Sequence, residues 1–167
     1  MCRARTGRLL SGVIAAGCLA AVLDLLYAFV LAALRDATPL RVLQSIASGL
    51  LGPAAYDGGI PAALLGLICH VGILIVAAGI FCLGALALRY LREHLLIAGA
   101  IFGASTYLFM NFVVLPLSAV PFRLAYPGLV ILQGLVSHAV LVGLPIAWVL
   151  KSPVLPGSGQ HPYRGLD

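Results

Sequence analysis

Three ionisable side chains lie deep inside long apolar stretches of the sequence. Asp24 interrupts an apolar run over residues 9–34, and His70 and His138 fall inside two later apolar runs. A carboxyl group and two imidazoles can exchange protons or bind a cation, yet an aspartate at the centre of a bilayer costs about 2.5–3.5 kcal/mol on insertion scales. Such residues must face the interior of a protein and find a partner there, so these three are the first candidates for a site.

The three side chains have similar predicted depths. Asp24 lies ten residues before the end of its run, and His70 and His138 each lie ten residues after the start of theirs. At a helical rise of 1.5 Å per residue, all three lie roughly 15 Å below one membrane surface. Asn111 reaches this layer if its helix continues with a kink past Pro116. The other polar residues expected near the layer are Thr106 and Gln133, with Tyr107 and Ser137 as further candidates.

The sequence leaves three roles open for this polar layer. The first is structural, because interhelical hydrogen bonds in membranes contribute about 0.6 kcal/mol on average and buried polar residues often make them. The second is a proton or ion site in a small permease that uses Asp24 with His70 and His138. Burial opposes the charged forms, so we expect a shared proton and coupled titration. The third is a single b-type haem ligated by His70 and His138.

The composition indicates that lipid is the solvent around this chain. Of its 167 residues, 62% are apolar and 9% are charged, and the mean hydropathy is +1.12. Soluble domains carry about 25% charged residues, which supply their polar exterior. A net charge of +5 can favour nucleic acid, but here the basic residues are scattered at the ends of apolar segments. We therefore expect membrane lipids as partners and no nucleic acid.

Four apolar runs are each long enough to cross a bilayer, for which about 20 residues suffice. They predict transmembrane helices over residues 9–34, 60–88, 95–115 and 128–150. The predicted fold class is therefore all-α, an integral membrane four-helix bundle that forms a single domain over residues 1–151. The first run is too long for a cleaved signal peptide. Residues 152–167 are rich in Pro, Gly and Ser and are predicted to form a disordered tail.

The distribution of basic residues predicts the orientation of the bundle. Seven of the ten Lys and Arg residues lie on the side of the chain termini, and three lie on the other side. Cytoplasmic loops carry an excess of these residues, so both termini are predicted to be cytoplasmic.

A short helix is predicted between the first two runs, over residues 39–51. Thr38 is a typical cap, a proline follows it, and Gly52 with Pro53 ends the helix. The pattern is that of an amphipathic helix on the outer membrane surface, with its polar face in water. The alternative is a re-entrant loop that caps the bundle. The polar residues are Arg41, Gln44, Ser45 and Ser48, and the apolar ones are Leu43, Ile46, Ala47 and Leu50.

A weak internal repeat relates the two halves of the chain. Residues 66–70 match residues 134–138 in the pattern Gly-Leu-x-x-His, and each match ends on one of the two histidines in the layer. At a different offset, Asp24 aligns with Asn111. The repeat predicts an internal duplication, with two helical hairpins of the same orientation.

Other signs of chemistry are weak. The four cysteines lack metal-ligand spacing, so we expect free thiols and no metal site. The sequence has no evident nucleophile–base pair and no phosphate-binding glycine loop, so we expect no enzyme activity. The cysteines are Cys2, Cys18, Cys69 and Cys82.

Three stretches, LQSIASGLLGPAAYDGG, YLFMNFVVLPLS and LVSHAVLVGLPIAW, resemble those of uncharacterised four-span bacterial inner-membrane proteins. More distantly, the helix pattern with a histidine in the second and fourth helices is similar to the YagU family. The resemblance covers residues 12–150. It implies four helices in a bacterial cytoplasmic membrane and assigns no site residue. Copies of the chain itself or a larger membrane complex remain open as partners.

Overall fold

All regular structure in the described part of the chain is helical. The computed structural model describes residues 2–121 and 127–151, with side chains from residue 6 onward. Within these ranges the chain forms eight α-helices, one 3₁₀ turn (Gly52–Tyr56) and two π turns. The α-helices are α1 (Cys2–Ala33), α2 (Pro39–Leu51), α3 (Gly59–Ala87), α4 (Arg89–Glu93), α5 (Leu95–Phe109), α6 (Leu115–Leu117), α7 (Gly128–His138) and α8 (Leu144–Lys151).

Four helical segments are long and apolar enough to cross a membrane. They are span 1 (Thr6–Ala33), span 2 (Gly59–Ala87), span 3 (Leu95–Leu117) and span 4 (Gly128–Lys151). Each begins and ends within three residues of a predicted run, so the four predicted helices are confirmed. Span 3 continues through Pro116, as the kinked alternative required. Four such helices suggest a multi-pass membrane protein. The predicted tail over residues 152–167 lies outside the described residues.

The tightly packed core lies in one half of the bundle. We call the end that carries Arg8, Arg89 and Lys151 the basic end, and the opposite end, where α2 lies, the α2 end. Toward the α2 end, span 1 has no buried residue after Leu25, and α7 buries only Ser137. Spans 1 and 4 are therefore closely packed near the basic end and loosely packed near the α2 end, where α2 packs on span 2 instead. Core residues include Ala16, Ala20, Leu74, Ala78, Phe81, Ile146 and Leu150.

Glycines bring spans 3 and 4 into backbone contact. A Cβ atom added at Gly103 would collide with the carbonyl oxygen of His138 and with the backbone of Gly143. A Cβ atom at Gly99 would likewise collide with Gly143 and with Ala147. Small residues permit this close approach, which strengthens van der Waals packing where lipid supplies no hydrophobic driving force. The crossing fixes the position of His138 relative to span 3.

Both spans of the second hairpin contain a π turn, Met110–Val114 in span 3 and Ala139–Gly143 in span 4. Each π turn ends two residues before a proline, Pro116 or Pro145. Proline cannot donate a backbone hydrogen bond, and its ring clashes with the carbonyl four residues earlier, so a wider turn relieves the crowding. Spans 1 and 2 are continuous α-helices. The predicted internal duplication stays a prediction.

The helix α2 forms over the predicted residues and begins as predicted. The hydroxyl oxygen of Thr38 accepts a hydrogen bond from the backbone N–H of Arg41 at 3.3 Å, and a proline occupies the first turn. The helix packs closely along the start of span 2. A Cβ atom added at Gly66 would collide with the carbonyl oxygen of Leu43, and the backbone N–H of Ala119 donates to Gly49 at 3.0 Å.

The facing of α2 matches the prediction only in part, since Ala47 is buried and Arg41 is exposed as expected. Gln44 and Ser48, expected on a polar face in water, are buried against the bundle, and Gln44 Nε2 donates to the carbonyl oxygen of Gly59 at 3.3 Å. Leu50 and Leu51 are exposed instead. Gln44 faces the start of span 2, so the contact of α2 with the bundle, and not its division into polar and apolar faces, determines which side chains are buried. The alternative of a re-entrant loop that caps the bundle stays a prediction.

The glycine crossing predicts the effect of one added methyl group. Gly103→Ala should lower the free energy of unfolding in detergent by about 1–3 kcal/mol, because backbone atoms on both sides cannot move aside. Gly72→Ala is the matched control, since a Cβ atom there meets nothing within 4 Å. That variant should be neutral or stabilised by up to about 1 kcal/mol through helix propensity. Equal stability of the two variants would contradict the proposed crossing.

Candidate functional site

Three helices place one carboxyl group between two imidazoles. Asp24 lies on α1, His70 on α3 and His138 at the end of α7. One carboxylate oxygen of Asp24 lies 3.8 Å from Nε2 of His70, and the other lies 3.9 Å from Nδ1 of His138. These three side chains were expected to lie together because of their shared depth, and in the structure they do.

Both imidazoles donate their facing N–H group to a backbone carbonyl. His70 Nε2 lies 3.2 Å from the carbonyl oxygen of Ala21, and His138 Nδ1 lies 3.1 Å from that of Gly134. A carbonyl oxygen only accepts, so the hydrogen-bond network assigns a proton to each of these nitrogens. The separations from Asp24 are longer than hydrogen bonds. The carboxylate therefore lies beside two N–H groups and is directly bonded to neither.

Neighbouring side chains hold the ring of His138 in place. The ring of Tyr107 on α5 meets it edge-on, with centroids 5.1 Å apart. Gly134 makes room for that tyrosine, since a Cβ atom there would collide with the tyrosine ring. The hydroxyl of Ser137 lies 3.4 Å from Nδ1 of the histidine. The π turn begins at the next residue, so the site lies where span 4 departs from α-helical geometry.

The cluster lies where the two hairpins begin to separate. Span 1 packs against α8 and the π turn of span 4, whereas α7 packs against α5. Near the α2 end, a 2.7 Å hydrogen bond from Gln133 Nε2 to the hydroxyl of Tyr27 joins α7 to α1. We use the name crevice for the region between α1 and α7 that contains these two residues with Asp24 and His138. There the side chain of Asp24 is 14% exposed and that of His138 23% exposed.

The other predicted layer residues have different partners. The hydroxyl of Thr106 donates to the carbonyl oxygen of Phe102, and the amide of Asn111 donates to that of Tyr107, so both bond to their own helix. Gln133 lies in the crevice on Tyr27. Sequence reasoning missed Tyr27, although it lies three residues after Asp24 and therefore on the same helix face.

The geometry bears on the metal and haem alternatives. Within the described residues, no group of three or more His, Cys, Asp or Glu side chains is arranged to hold a metal ion. Bis-imidazole ligation requires two ring nitrogens that face each other across the macrocycle. Here the carboxyl group of Asp24 lies within 4 Å of one nitrogen of each ring, so a haem held by these two nitrogens would have to displace it.

Comparison of the chain with protein-family models, with curated proteins and with solved structures found no match. The geometry of the site therefore carries the functional argument alone.

The shared carboxylate predicts non-additive effects on stability. Combining Asp24→Asn with His138→Gln should change the free energy of unfolding by an amount that differs from the sum of the single changes by about 0.5–3 kcal/mol. Asp24→Asn combined with His94→Gln is the control, because His94 lies in the turn at the basic end. That pair should be additive within about 0.5 kcal/mol. Additivity in both cycles would mean that the carboxylate and the imidazole do not interact.

Proposed function

We propose that the protein is a small proton-linked permease, with Asp24 as the proton-carrying group and His70 and His138 as its partners. One observation carries the proposal: a single carboxyl group lies within 4 Å of N–H groups from two different helices and is bonded to neither. A small rotation of the aspartate side chain would bring one of its oxygens within hydrogen-bond distance of either N–H group. A proton can then exchange between helices without a large backbone movement.

The apolar surroundings make this site sensitive to its protonation. An ionised carboxylate inside a bilayer is costly, and the cost falls when it binds a proton or a small cation. The nitrogen of each imidazole that faces Asp24 already carries a proton, so a ring that takes up a second proton on its other nitrogen becomes an imidazolium, which can pass the facing proton to the carboxylate. Binding of a proton or cation at Asp24 therefore changes the electrostatic energy of the whole layer. This coupling is what a proton-linked carrier needs.

The packing supports access to the site from one side. The side chain of Asp24 is 14% exposed, whereas the core around Phe81 and Ile146, toward the basic end, is buried. A carrier must exchange access from one side for access from the other. The π turns that precede Pro116 and Pro145 are suitable bending points, because π turns and prolines interrupt the helical hydrogen-bond ladder.

The distribution of charge indicates which side of the membrane the crevice faces. Arg8, Arg92 and Lys151 lie at the basic end, and Arg35 and Arg41 lie at the α2 end. With the more basic end in the cytoplasm, the crevice faces the outside of the cell. Resemblance to four-span bacterial proteins favours the bacterial inner membrane as the location.

One observation favours the structural role as the second candidate. The N–H group of His70 on span 2 donates to the carbonyl oxygen of Ala21 on span 1, which ties these helices together. In that case the layer would hold the bundle, or a larger complex containing it, without moving a proton. The two candidates differ in the effect of Asp24→Asn. The structural role predicts lower stability with unchanged flux, and the permease predicts lost flux in a folded protein.

Proton flux through reconstituted protein tests the proposed function. In vesicles with an enclosed pH dye and an imposed pH gradient, the protein should dissipate the gradient faster than protein-free vesicles do. Asp24→Asn should reduce the rate to that of protein-free vesicles, because an amide cannot carry the proton. His138→Gln should slow it.

Asp36→Asn is the matched control for this flux. Asp36 is exposed between α1 and α2 at a positive φ of 56°, a conformation that asparagine adopts readily, so this variant should retain the full rate. Elution as a single species and an unchanged melting temperature establish that each variant is folded. If vesicles with the unmodified protein lose the pH gradient no faster than protein-free vesicles, the permease is rejected in favour of the structural role.

The orientation has a separate test. The C-terminus is predicted to be cytoplasmic, because Lys151 lies at the more basic end of the bundle. A reporter that works only in the cytoplasm should therefore be active when fused to the C-terminus, and one that works only in the periplasm should be inactive. A reporter inserted between Arg35 and Thr38 should give the opposite pattern. The reverse result would place the crevice on the cytoplasmic side.

A further inference from the structure

A cavity of about 310 Å³ lies at the basic end, far from Asp24. It is formed where the turn after α4, the start of α5 and the end of α8 meet, and its lining includes Arg92, His94 and Lys151. Its volume falls at the lower end of the range of small-molecule sites, about 300–1,000 Å³. The cavity lies where spans 3 and 4 leave the apolar region, which is the depth of lipid headgroups.

The charges around this cavity favour an anion. Arg92 and Lys151 contribute two permanent positive charges to the lining. Glu93 also lines it, but its carboxylate accepts a 2.7 Å hydrogen bond from Nε of Arg89. That hydrogen bond and the positive charge of Arg89 lower the pKa of Glu93, so its negative charge is balanced by a neighbouring cation at neutral pH. Among the described side chains that line the cavity, two permanent positive charges, on Arg92 and Lys151, stand beside the one negative charge of Glu93.

The other wall of the cavity is apolar and faces outward. Leu96 and Ile97, the second and third residues of α5, line the cavity and are 40% and 64% exposed. On a membrane-spanning helix such exposed side chains contact acyl chains. A ligand that fills this cavity therefore meets cations on one side and hydrocarbon on the other. A free phosphate ion would use only the cationic side.

We infer that this cavity binds the headgroup of an anionic phospholipid, with the phosphate between Arg92 and Lys151 and an acyl chain along Leu96 and Ile97. An arginine side chain can present two N–H groups to phosphate oxygens, and lysine adds a point charge. The ligand class follows from the joint presence of cations and an apolar wall. The inference is independent of the proposed transport function, since it concerns the opposite end of the bundle.

The single tryptophan of the chain is a built-in reporter for this site. Trp148 is exposed on α8 and lies three residues, or about one helical turn, before Lys151. Bromine atoms on lipid acyl chains quench its fluorescence at short range. The full-length protein is reconstituted in phosphatidylcholine vesicles that contain a minor fraction of brominated phosphatidylglycerol, and quenching is compared with that by the same fraction of brominated phosphatidylcholine.

The anionic brominated lipid should quench Trp148 more strongly than the neutral one at equal fraction. Each cation removed should lower the preference for the anionic lipid roughly fivefold, so Arg92→Ala with Lys151→Ala should abolish it. Arg92→Lys should retain part of it. Arg35→Ala removes an exposed cation at the α2 end and should leave the preference unchanged.

Two results would overturn the inference. Equal quenching of the unmodified protein by the anionic and the neutral lipid would mean that the cavity selects no anionic phospholipid. Relief of the extra quenching by added inorganic phosphate at constant ionic strength would mean that the cavity binds phosphate itself. Sodium chloride at matched ionic strength separates this competition from general screening. If the double variant has a lowered melting temperature, Arg92→Lys, which keeps the charge, shows whether the lipid preference depends on charge or on stability.

Discussion

A carboxyl group in an apolar bundle must be neutralised or must meet partners that stabilise its charge, and Asp24 imposes this constraint on the surrounding helices. His70 from span 2 and His138 from span 4 supply N–H groups within 4 Å of its oxygens. Those groups are themselves held by carbonyl oxygens one turn or less from the site residues, at Ala21 and Gly134. The backbone thus orients the imidazoles, and the carboxyl group lies between them without a direct hydrogen bond to either.

The packing of spans 1 and 4 differs on the two sides of this layer. Toward the basic end, small residues such as Ala16, Ala20 and Ala78 let the helices approach closely and leave little internal space. Toward the α2 end, α7 is largely exposed, and a hydrogen bond from Gln133 to Tyr27 spans the gap to α1. Lipid does not drive apolar surfaces together, so helices stay joined where small residues or hydrogen bonds hold them.

The sequence was sufficient for features that depend on length, hydropathy and depth. It predicted the four helices, the cap at Thr38 and the meeting of Asp24 with both histidines, because bilayer thickness and helical rise fix where each residue lies. The facing of α2 was only partly predictable in this way, since the contact of α2 with the bundle determines which side chains are buried. Gln44 and Ser48 are buried accordingly.

Hydrogen bonds within one helix and the angles at which helices cross explain the other differences from the sequence-based prediction. The side chains of Thr106 and Asn111 bond to carbonyl oxygens one turn earlier in their own helix, an option that depth alone does not reveal. The close contact of Gly134 with Tyr107 depends on the angle at which the helices cross. Prolines at 116 and 145 indicate an irregularity nearby, but an ordinary kink and a π turn satisfy the same pattern.

The π turn of span 4 also determines which residues can share a face. In a regular helix each residue advances by about 100°, so Leu150, twelve positions after His138, would point about 120° away from it. The π turn absorbs one residue, which reduces this difference to roughly 20°. His138 can therefore point at the carboxyl group of Asp24 while Ile146 and Leu150 point into the core, and both of these are fully buried. One additional residue thus lets a single helix direct its polar and apolar halves toward the same neighbour.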